Sequence, residues 1–169
     1  MAFGGLVTGE AIFLDFSCRK LEQLAGRIAE CLRTLTEAQI WARSNDSSNA
    51  VGNLVLHLSG NVRQWVVSGI GGASDARLRD AEFTASSGEF DLDATVREAV
   101  DVLRSLPSTR LSERVVIQGF ELTVLEAVYH VVEHFSGHTG QIILLTKALT
   151  DRPLDFYGFL REGHAGETP

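Results

Sequence analysis

Val124-Leu-Glu-Ala-Val-Tyr-His130-Val-Val-Glu-His134-Phe-Ser-Gly-His138-Thr-Gly-Gln141-Ile-Ile-Leu-Leu-Thr-Lys-Ala-Leu149 is the stretch whose reading decides the fold. Val128, Val131, Phe135, Ile142 and Leu149 recur at steps of three, four and seven, which places them on one side of an α-helix. Thr123 and Glu126 stand just before the apolar run as T-x-x-E, a capping box that marks the helix start.

Three more helices are expected upstream. The first runs roughly from Glu10 to Leu35, with Leu14, Cys18, Leu21, Ala25, Ile28, Leu32 and Leu35 as its stripe. The second runs roughly from Asn49 to Ile70, with Val51, Leu54, Leu58, Val62 and Trp65 facing one way. Ser47, Ser48 and Asn49 offer N-caps there, and Gly71-Gly72 offers a stop. The third covers about Asp93 to Leu106, and Pro107 ends it. Arg114 to Leu122 reads as two short strands turning at Gly119. A connection of about 20 residues, Gly71 to Leu92, is left without periodicity; loops of that length often cover a site or a partner surface. The tail residues Phe156, Tyr157 and Phe159 are expected to pack across a bundle end or on a second subunit. Four long helices with almost no strand predict an all-α four-helix bundle, with a short β-hairpin before the last helix.

The 169 residues, 44% apolar, suit one domain spanning 1–169 that can bury its own core. A net charge of −7 without a basic cluster argues against nucleic acid or an anionic membrane as partner. Met1 to Thr8 has no positive region and no long apolar core, so it does not read as a secretory leader. No run of 18 apolar residues exists to span a membrane. Cys18 and Cys31, 13 residues apart on one helix, lie about 20 Å from each other, too far for a disulfide. Two free thiols suit a reducing cytoplasm.

Three of the five histidines fall within nine residues of the last helix, at 130, 134 and 138. Steps of four on a helix turn by about 40° and rise about 6 Å, so each neighbouring pair can converge on one ion. All three together span about 12 Å, so a single pair is expected to bind directly. A catalytic site needs a third protein ligand. His57 supplies it from the second helix, beside Leu54 and Leu58, in a row with the polar residues Asn53, Asn61 and Gln64. The bland alternative is that each histidine is a satisfied core residue, or, for His130, an exposed one paired with Glu126. His134 with His138 is the favoured pair, because Gln141 lies at i+3 from His138 on the same face. His130 is then a supporting residue near Glu126 or Glu133. A competing motif, His130-Val-Val-Glu133-His134, matches the inverted zincin signature with Glu133 as base. Too little chain follows His134 for that family's distant third ligand.

Gly52-Asn-Leu-Val-Leu-His57-Leu-Ser-Gly-Asn61-Val-Arg-Gln-Trp65 and His130-Val-Val-Glu-His134-Phe-Ser-Gly-His138-Thr-Gly-Gln141 resemble the DinB/YfiT-like superfamily, and Leu154-Asp-Phe-Tyr157 resembles the end of one uncharacterised DinB-like branch. The resemblance implies an up-down-down-up four-helix bundle and a homodimer. It also implies a divalent metal, zinc or nickel among the ions found across the superfamily, carried over here onto His57, His134 and His138. Some members use a low-molecular-weight thiol such as mycothiol or bacillithiol in transferase or isomerase chemistry, and others are taken to be hydrolases. Three readings follow for a small-molecule substrate: a thiol-dependent transferase, a hydrolase whose ion brings the pKa of a water toward 7, and a non-catalytic metal-binding stress protein.

Overall fold

The computed structural model describes residues 8–161, and of Leu160 the backbone alone; the stretch read above for a leader lies almost wholly outside them. The chain is mostly helical. Helix α1 is Gly9–Thr34, α2 Glu37–Ile40, α3 Val51–Val62, α4 Arg79–Thr84, α5 Leu92–Ser105, α6 Val124–Thr150 and α7 Gly158–Arg161. A 3-10 turn, Ser108–Ser112, precedes an antiparallel hairpin of β1, Arg114–Ile117, and β2, Phe120–Thr123. Ile117 pairs with Phe120, so the loop is two residues long. Gln118 and Gly119 take φ of 52° and 82°, the left-handed pair that a tight hairpin turn demands.

The four long helices stand where the periodicity places them, within a residue or two at each end. Helix α1 lies against α5 and α6, and α3 also lies against α5 and α6. One cluster of buried apolar side chains joins them, with Leu21, Ile28, Leu54, Leu58, Leu103, Phe135 and Ile142 wholly enclosed. Thr123 and Glu126 form the expected capping box: the Thr123 hydroxyl accepts from the Glu126 amide at 3.2 Å, and the Glu126 carboxylate accepts from the Thr123 amide at 2.6 Å. Cys18 and Cys31 are buried free thiols on α1, and burial pushes the Cys18 thiol up to about 11. The tail packs on α1, with the Arg27 guanidinium 5.6 Å from the Phe156 ring centre and 4.8 Å from that of Tyr157.

Three local features differ from the sequence reading. The N-cap of α3 is Ala50, not Ser47, Ser48 or Asn49. The cap is instead made from inside the helix, where Asn53 Oδ1 accepts from the Ala50 amide at 3.1 Å. The second helix continues past Val62 as a π-helical turn, Arg63–Ile70. The connection from Gly71 to Leu92 holds α4, which packs on α3. Among the described residues no helix is long and apolar enough to cross a membrane.

Candidate metal centre

His57 lies on the inner side of α3, only 5% exposed, because it follows the apolar stripe of Leu54 and Leu58. His134 and His138 share one side of α6 by their i, i+4 spacing. Where the two helices meet, His57 Nε2 is 3.1 Å from His134 Nε2. The His57 and His138 ring centres are 5.1 Å apart, and those of His134 and His138 are 4.5 Å apart. One ligand nitrogen from each of the three lies within 4.8 Å of the others.

Nitrogens bound at 2.0–2.1 Å to a tetrahedral ion stand about 3.3 Å apart. The His57–His134 pair, at 3.1 Å, is close to that separation, and the His138 nitrogen lies within 4.8 Å of both. The donor set of three uncharged imidazoles also suits a borderline ion such as zinc or nickel. Burial holds His134 down at about 3, helped by His138, His57, His130 and Arg77 around it. Burial also lowers His57, against the pull of Glu82. At neutral pH these two rings therefore keep the lone pairs that a metal requires.

The sign of the pH effect follows. His134 takes up a proton near 6.5 in the unfolded chain but only near 3 in the folded one. Stability of the metal-free protein is thus full above about pH 6.5 and falls as pH drops from there toward 3. Urea midpoints of wild type and His134→Leu at pH 7.5 and 5 test this. The wild type is expected to lose more between the two values; equal losses would sink the assignment.

The supporting residues divide clearly. His138 Nδ1 is 2.9 Å from Gln141 Oε1, so the Gln141 reading meets its partner, and His138 Nε2 stays free. His130 is outside the trio: it rests on the Trp65 indole at 4.3 Å between ring centres, with its own ring 5.5 Å from that of His134. Glu126 is engaged at the cap of α6. Glu133 is exposed and lines a groove of about 560 Å³ with Phe16, Lys20, Arg27 and Tyr129, so the structure does not bring it to the histidines. The inverted zincin arrangement therefore lacks its base. Asn53 acts at a distance from the ion site: its Nδ2 donates to the carbonyls of Glu82 at 2.9 Å and Ala85 at 2.8 Å. Gln64 accepts from Arg77 Nη1 at 3.0 Å and donates to Asp75 at 2.6 Å. Asn61 Oδ1, Trp65 Nε1 and His134 Nδ1 are buried without hydrogen-bond partners. Such atoms typically cost about 1–3 kcal/mol each, and groups left so are a mark of functional sites.

Sequence reasoning missed the residues that the connection brings in. Glu82 of α4 is 8% exposed, and its Oε2 lies 3.0 Å from His57 Nδ1. Arg77 grips the same carboxylate, Nε to Oε1 at 2.7 Å and Nη2 to Oε2 at 2.8 Å. The Phe83 ring packs 4.7 Å from that of His57, with Arg79 above it at 5.1 Å. A cavity of about 500 Å³ beside this pair is lined by Ser59, Gly60, Arg63, Asp75, Arg77 and Glu82. The signal that could have found them is Gly60. A glycine inside an apolar helix, three residues past His57, announces a close approach by another segment. A comparison with curated proteins finds no match. A family model does match, over residues 10–158, and the chain belongs to that family, described as protein of unknown function DUF1572.

Proposed function

We propose that this chain is a divalent-metal-dependent enzyme of the DinB/YfiT-like superfamily, in which His57, His134 and His138 hold the ion and a low-molecular-weight thiol takes part in transfer to a small molecule. The observation that carries the reading is the trio of ring nitrogens within 4.8 Å of one another, drawn from two helices. Three protein ligands are the number that leaves a position open for a substrate. When bound, zinc or nickel supplies a Lewis acid that can hold a thiolate. The up-down-down-up bundle and the homodimer implied by the resemblance belong to the same reading. The packing of α1 and α3 each against both α5 and α6 supports the bundle.

Hydrolysis is the second reading, and the carboxylates weigh against it. Among the described residues, no carboxylate joins the three nitrogens as a candidate ligand. Glu133 faces another groove, and Glu82 is occupied by His57 and Arg77.

Loading with Co(II), whose spectrum reports its ligands, tests the proposal. Titration of the loaded protein with 2-mercaptoethanol is expected to produce a thiolate-to-cobalt absorption band, absent from the metal-free protein. A cobalt spectrum indifferent to thiol, with ester hydrolysis rising near pH 7 in its absence, would establish the hydrolase instead. An ion that takes no added ligand, and whose chelation lowers the melting temperature steeply, would establish a structural role.

A further inference from the structure

We propose that Glu82, clamped by Arg77 in the space that Gly60 leaves, is the positioning residue for His57, and that it makes metal binding depend on the docking of the 71–92 connection. The inference rests on the metal reading above for its consequence, but not for its geometry.

A carboxylate has only acceptors. Two groups meet His57 Nδ1: Glu82 Oε2, an acceptor, at 3.0 Å and Arg77 Nη2, a donor, at 3.1 Å. Arg77 Nη2 makes its shorter contact with Glu82 Oε2, at 2.8 Å, so the hydrogen of a neutral His57 ring is assigned to Nδ1, donating to the carboxylate. That leaves the Nε2 lone pair pointing at His134, which is the arrangement a metal ligand needs. Without the carboxylate, Arg77 Nη2 is left as the partner of Nδ1 and favours the other tautomer, which presents an N–H to the ion.

The surroundings hold the carboxylate to this task. Arg77 binds both its oxygens, donates to Gln64 Oε1, and reaches the His57 carbonyl at 3.4 Å. The Arg77 and Glu82 side chains are only 5% and 10% exposed. Burying such a pair costs desolvation that an apolar pair would avoid, so stability alone is a poor reason for it. Asn53 pins the main chain of α4 through the Glu82 and Ala85 carbonyls. Gly60 completes the arrangement: a Cβ there would collide with Glu82 Oε1 and approach Arg77 Nε to 2.8 Å. The ring that receives this support is the one ligand of the three supplied by α3. His138 has Gln141 in the equivalent role, and His134 Nδ1 has no partner.

The test is ¹⁵N–¹H correlation of the histidine rings in the metal-free protein, paired with zinc affinity, for wild type, E82A, G60A and E133A. Wild type is expected to show His57 as the Nδ1–H tautomer. E82A and G60A are expected to lose it, while zinc affinity falls about 10–100-fold. G60A matters because it removes no polar group and reaches His57 through the Arg77–Glu82 pair. E133A, exposed on another groove, is expected to change neither readout. Retention of Nδ1–H in E82A overturns the proposal, as does its loss with zinc affinity unchanged. A wild type that binds no zinc defeats the metal reading separately, and the ring tautomer then decides this inference alone.

Discussion

His134→Ala is expected to leave the purified protein without a stoichiometric divalent ion, while its secondary structure and urea midpoint at pH 7.5 stay close to wild type. His134 is the hub of the site. Its Nε2 meets His57 Nε2 at 3.1 Å, and its ring lies 4.5 Å from that of His138. Removing it leaves two donors on separate helices, too few for a closed coordination shell. The loss should exceed the roughly 10–100-fold typical of removing an outer partner. The fold has little to lose, because His134 Nδ1 is already buried without a partner and truncation relieves that cost. His57→Ala and His138→Ala should likewise lose the ion, whereas His130→Ala, which removes a ring packed on Trp65, should keep it. Elemental analysis of the four variants decides the matter. Metal lost in His130→Ala and kept in His138→Ala would mean that the other pair binds.

The adjacent position gives the opposite pattern. Phe135→Ala is expected to destabilise the protein by about 3–5 kcal/mol, which for a chain of this size lowers Tm by roughly 6–20 °C. Phe135 is among the largest wholly buried side chains, in the cluster shared by α1, α3, α5 and α6. A residue that forms the centre of a core leaves a cavity its neighbours cannot fill. Where the variant folds, its metal content should match wild type. A cost below about 1 kcal/mol would show that α6 packs by another face. Residues 134 and 135 thus separate the two jobs of one helix, one turned to the ion site and the next to the core.

What could be read from the chain in advance divides along the same physical line. Long helices repeat their pattern many times, so Leu21, Ile28, Leu54 and Phe135 declared their faces, and the same spacing aligned His134 with His138. Gln141 was legible because it sits one turn from its partner. Arg77 and Glu82 were not, because α4 is a six-residue helix within a connection too short for a period to register. Their role arises from contacts 20 and 25 residues away in sequence, which no local pattern encodes. The π turn at Arg63–Ile70 was hidden for a related reason: its residues, including Trp65, Val66 and Ile70, are the same apolar types an α-helix would use. Glu133, kept in the sequence reading only as a possible neighbour of His130, turns to another groove because consecutive residues on a helix diverge by about 100°.

The separation of 77 positions between His57 and His134 also has a consequence in time. A ribosome adds about 5–20 residues each second, so roughly 4–15 s separate the synthesis of the first ligand from that of the second. Until His130 is added, near the end of that interval, His57 is the only imidazole of the nascent chain. On the metal reading proposed above, the three-ligand set is thus complete only once the last helix has been made, and the geometry of the finished protein, with the metals then available, decides which ion is held.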